Sequence, residues 1–169
     1  NVTSFTRTSI YNYFQTKEEI FLALYKREYD RWNEELEAII EENESLTRKQ
    51  VAEKIARSLE NRQQLLKLLS MNNFDMEANS REELLASFKR AYGRSLDLFR
   101  SILEKHCPEM SAEEVNAVIY VFFPFMFGIY PYTAVSDKQR AAMEAAEVDY
   151  IYQSIYELTY SCLLRLLCR

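Results

Sequence analysis

The chain has 169 residues, 48% hydrophobic and 28% charged, a balance that excludes a disordered protein and allows one sizeable core or a small head on a larger body. Only two Gly and three Pro disfavour turn-rich β architectures, and a formal charge of −5 argues against a nucleic-acid binder with a generally basic surface. Cys107, Cys162 and Cys168 form no CxxC or Cys/His set, which fits a reducing cytoplasm.

The first predicted element covers residues 5–14. Ile10 and Phe14 lie four apart, so they share one face and turn Thr6, Arg7, Ser9, Tyr11 and Tyr13 the other way. That polar face carries no acid and is able to donate to base edges and phosphates. A break at Gln15-Thr16 follows, and Lys17-Glu18-Glu19 opens a long helix expected from Lys17 to Glu42. Ile20, Phe21, Leu24, Trp32, Leu36, Ile39 and Ile40 form its apolar stripe. At 1.5 Å per residue such a helix spans about 35–40 Å, enough to join a head to a body.

Helix starts recur along the chain. Thr16-x-x-Glu19, Thr47-x-x-Gln50, Ser80-x-x-Glu83, Ser111-x-x-Glu114 and Ser136-x-x-Gln139 all fit the capping box, in which hydroxyl and acid or amide side chains satisfy each other's backbone N–H groups. They predict helices over 48–60, 63–71, 81–105, 112–130 and 137–167, with 72–79 irregular. Pro124 removes the bond to the Tyr120 carbonyl and predicts a kink. The fold class is all-α. The densest apolar run, Val118 to Tyr132, is broken by Pro124, Gly128 and Pro131, so no membrane span is expected. His106-Cys107 beside Pro108 reads as a helix end rather than a metal or thiol site.

Tyr11-Asn12-Tyr13-Phe14 followed by Lys17-Glu18-Glu19 resembles the end of the DNA-binding head of tetracycline-repressor-like (TetR) transcription regulators. There a recognition helix ends in a Tyr-x-Tyr/His-Phe group and a Lys-Glu-Glu opens the next helix. The resemblance implies that residues 1–30 are the C-terminal part of a helix-turn-helix domain whose first helices are missing. Residues 31–169 would be a helical ligand-binding and dimerisation domain. In such a motif the second helix enters the major groove. Carried over, Thr6, Arg7, Ser9 and Tyr11 would face base edges or nearby phosphates, and Tyr13 and Lys17 the phosphate backbone. Arg7 is the best guanine reader, because its fork pairs with O6 and N7 together. The sequence departs from the family in one respect: Asn1-Val2-Thr3-Ser4-Phe5 has no Gly for the turn.

The resemblance also implies a pocket between the middle helices. Phe74, Phe88, Tyr92, Phe122, Met126 and Tyr130 are the expected lining, suited to a small, largely apolar or aromatic, uncharged effector. It implies a homodimer through the last two helices and binding to a double-stranded DNA operator. The expected function is a repressor released from its operator by ligand, with no cofactor, metal or catalytic residue. An all-α carrier or enzyme is the alternative, but one His and no paired acids on an apolar face give it little chemistry.

Overall fold

Large side chains at alternating three- and four-residue steps set the frame of the molecule: Leu22, Tyr25, Tyr29, Trp32, Leu36 and Ile39 all lie on the buried face of one helix. The computed structural model describes residues 13–71 and 73–168, and among these it contains eight α-helices and no strand. They are α1 (Lys17–Glu41), α2 (Arg48–Glu60), α3 (Gln63–Leu69), α4 (Asn73–Ala78), α5 (Glu82–His106), α6 (Ala112–Thr133), α7 (Asp137–Ala145) and α8 (Ile155–Leu167).

α1 and α5 pack along one another more extensively than any other pair, and α2 on α8 comes second. A polar bridge pins α1 to α5 at the centre. Asn33 Nδ2 donates to the Ala91 carbonyl at 3.0 Å, and Ser95 Oγ donates to Asn33 Oδ1 at 2.7 Å. α1 is tied to α2 by Trp32, whose Nε1 donates to Ser58 Oγ at 3.0 Å. α6 lies against α3, α5 and α8, and Phe122 stacks on Phe99 of α5 with centroids 5.2 Å apart. These bonds satisfy every polar group they bury, which keeps the apolar burial around them favourable.

Most predicted starts hold, and four features differ. At Ser80 there is no cap: its hydroxyl turns back to the Met76 carbonyl at 2.6 Å, and α5 begins after Arg81 with no side-chain cap bond. The segment 72–79, expected to be irregular, contains the short α4. The expected helix 137–167 is two helices. Its chain breaks at Glu147, whose φ of 53° is left-handed and stops the helix, and restarts at a full capping box of Ser154 and Glu157.

α6 runs on through Pro124 and Pro131, so the expected interruption of the apolar run does not occur. By length and composition it is apolar enough to cross a membrane. Its apolarity on one side has a simpler cause: Val115, Val118, Ile119, Phe122, Phe123, Met126 and Ile129 fill the core.

Candidate functional site

α1, α4 and α5 line a cavity of about 520 Å³ that is partly open to solvent. The 3.6-residue period of α1 presents Leu22, Tyr25 and Tyr29 to it, and that of α5 presents Phe88, Lys89 and Tyr92. α4 supplies Asn73, Phe74, Met76 and Glu77, while Leu69, Ser70 and Met71 come from the end of α3 and the turn after it. Phe127 of α6 completes the lining.

The aromatic wall is continuous. Tyr25 lies 4.8 Å from Phe88 and 5.4 Å from Tyr29, and Tyr29 lies 5.7 Å edge-on to Tyr92, centroid to centroid. Burial pushes the Tyr25 and Tyr29 hydroxyls well above the ordinary tyrosine range, so both stay neutral donors. Burial also raises the Tyr92 hydroxyl. The charged groups in the lining, Glu77 and Lys89, pair with each other. A cavity with neutral walls and a self-neutralised ion pair suits an uncharged, flat, apolar molecule.

Of the six side chains expected to line a pocket, the structure brings Phe74, Phe88 and Tyr92 to this cavity. Phe122, Met126 and Tyr130 are placed elsewhere. Phe122 and Met126 are fully buried on the core face of α6, and Tyr130 packs half-buried against the core. One helical step rotates a side chain by about 100°, so the α6 residue that reaches the cavity is Phe127. Tyr25 and Tyr29 escaped the sequence reading, although their spacing with Leu22 and Trp32 was a usable signal. The apolar stripe of Ile20, Phe21, Leu24, Trp32, Leu36, Ile39 and Ile40 leaves them out.

Thr6, Arg7, Ser9 and Tyr11 lie outside the described residues. Tyr13 is helical and exposed, and Lys17 projects into solvent with Glu18 at 3.6 Å. Thr16 caps α1 by accepting from the Glu19 N–H at 3.2 Å. Glu19 does not return to the cap amide as a full box requires. It accepts from the Gln15 N–H at 2.7 Å and from Arg81.

The described residues contain no group of three or more His, Cys, Asp or Glu side chains fit to hold a metal ion. His106 is buried with both ring nitrogens lacking a partner among the described residues, and burial holds its pKa below the usual histidine value. Cys107 beside it is buried, and burial raises its thiol, the opposite of what an activated nucleophile needs.

Residues 26–164 match a family model described as tetracyclin repressor-like, C-terminal domain. The search of curated proteins returned no match.

Proposed function

The chain belongs to the tetracyclin repressor-like family, matched over residues 26–164, and on that premise we propose that it is a transcription regulator whose effector occupies the α1–α4–α5 cavity. The observation that carries this reading is continuity. The helix that supplies Leu22, Tyr25 and Tyr29 to the cavity is the one that starts three residues after Phe14, at the end of the recognition-type segment.

In this reading residues 1–30 belong to the DNA head and residues 31–169 to the effector and dimer domain. Thr6, Arg7, Ser9 and Tyr11 meet base edges or nearby phosphates, and Tyr13 and Lys17 the phosphate backbone. The partners are an operator duplex, a neutral aromatic or apolar effector and a second copy of the chain in the cytoplasm. The dimer surface is formed by the last two long helices, α6 and α8, and includes the outer face of α6. On that face Tyr120 is 70% exposed, Val121 and Pro124 are exposed beside it, and no charged residue occurs between Val115 and Ser136. A face without charge brings no like charges into contact when two copies of net charge −5 meet.

Effector binding favours one orientation of α1, so the two recognition helices no longer fit half-sites about 34–36 Å apart. The test selects a duplex from a random pool and measures its affinity with and without a compound that fills the cavity. Release of the duplex supports the reading. A compound that binds tightly in the cavity, is lost on Tyr29→Ala, and leaves duplex affinity unchanged refutes it.

A further inference from the structure

The segment joining α4 to α5 grips the chain at the very start of α1. Thr16 Oγ1 donates to the Asn79 carbonyl at 2.9 Å. The Arg81 guanidinium forks onto Glu19, with Nε 2.8 Å from Oε1 and Nη2 3.1 Å from Oε2. The Arg81 backbone N–H adds a third bond to Oε1 at 3.1 Å. Arg81 Nη2 also donates to the Tyr13 carbonyl at 3.0 Å, so a guanidinium from the body reaches the backbone just ahead of α1.

Glu19 is the unusual member. It sits at the N3 position, where a glutamate ordinarily closes a capping box in solvent. Here it is only 1% exposed and spends its oxygens on Gln15 and Arg81. A carboxylate is buried so fully only when its bonds are complete, and a forked pair has strong directional demands. The arrangement is a crosslink between segments 62 positions apart rather than a local cap.

The other end of the crosslink is stitched to the cavity wall. Asn79 donates both its N–H (3.1 Å) and its Nδ2 (2.9 Å) to the Asp75 carbonyl, and Ser80 Oγ donates to the Met76 carbonyl. Residues 79–81 therefore follow α4. That helix is the loosest wall of the cavity, since Met76 is its only buried residue and Phe74 is 87% exposed. The walls from α1 and α5 are held by their long mutual packing and by the Asn33 bridge. A molecule entering the cavity displaces α4 first.

We propose that Arg81 is a positioning residue: with Glu19 it transmits the displacement of α4 to residues 13–19, and so sets the orientation of the segment that leads into the DNA head. This rests on the reading of the cavity as the effector site.

The experiment uses the whole chain and 2-naphthol, a neutral flat aromatic, as the probe. Calorimetry reports its binding, and amide hydrogen exchange reports residues 13–19 with and without it. In the native chain the probe changes exchange over 13–19 by about threefold or more. In Arg81→Ala basal exchange there rises about tenfold, the probe still binds, and its effect on 13–19 disappears. Arg81→Lys keeps the charge but not the fork, and gives an intermediate response with native folding elsewhere. Arg94→Ala, which breaks a surface pair with Glu37 on the same two helices, leaves the response intact. Binding without any change over 13–19, or an unchanged response in both Arg81 variants, overturns the coupling while leaving the cavity reading in place. Failure of the native chain to bind the probe defeats the cavity reading, and the coupling with it.

Discussion

Replacing Asn33 tests whether the α1–α5 contact is fixed by its polar bridge or by apolar packing alone. Asn33 is 0% exposed, gives Nδ2 to Ala91 and accepts from Ser95, so Asn33→Ala deletes two buried bonds. At about 1 kcal/mol each, plus a small cavity, the loss is about 2–3 kcal/mol. The partners limit the damage. Ser95 Oγ already lies 3.1 Å from the Ala91 carbonyl and turns fully to it, so no donor is orphaned. Asn33→Asp fills the same volume but sets a carboxylate against that carbonyl, at a cost of about 3 kcal/mol or more. The order expected is therefore Asp worse than Ala. A double-mutant cycle with Ser95→Ala returns a coupling of about 1 kcal/mol. Urea denaturation followed by far-UV circular dichroism and by tryptophan fluorescence measures all of this. Trp32, the only Trp, is fully buried beside the bridge and reports the same core. Comparison is valid where the urea slope stays constant. An Asn33→Ala protein within about 0.5 kcal/mol of native, or no coupling to Ser95, refutes the bridge as a stabilising element.

Three further outcomes are expected. The Arg81 guanidinium holds the Glu19 carboxyl at about 2, down from 4.5, so its contribution is complete above about pH 4.5 and fades as pH falls through about 2. The gap in urea midpoint between native and Glu19→Gln proteins narrows across that window, and a pH-independent gap contradicts the assignment. Burial lowers the His106 pKa below 6.5, so the folded state resists protonation and stability falls as pH drops below about 6.5. His106→Leu removes that slope, and titration of the native ring by NMR at or above 6.5 disproves it. Ser154→Ala deletes the cap that restarts α8 and lowers stability by about 1 kcal/mol, whereas Ser80→Ala, which caps no helix, costs less.

Local rules were readable in the sequence wherever the chain makes its own partners. Thr47, Ser111, Ser136 and Thr16 start helices where the spacing places them, because a cap needs only residues three positions away. Ser154-x-x-Glu157 was equally legible and would have divided the last helix correctly. Family membership was legible too, from the Tyr-x-Tyr-Phe and Lys-Glu-Glu groups, and the match over 26–164 agrees.

What only the tertiary structure decided is which neighbour each side chain meets. Tyr25 and Tyr29 look amphipathic in sequence and become a cavity wall because α5 brings Phe88 and Tyr92 against them. Phe122 and Met126 look like pocket residues, yet the rotation of α6 sends them into the core and leaves Phe127 at the cavity. Glu19 reads as an ordinary capping acid until Arg81, 62 positions away, reaches it. The physical reason is common to all three. Periodicity and caps are set by bonds within one helix, so the sequence determined an all-α chain and its family. Burial and pairing depend on a second helix whose distance, rotation and tilt no local pattern encodes.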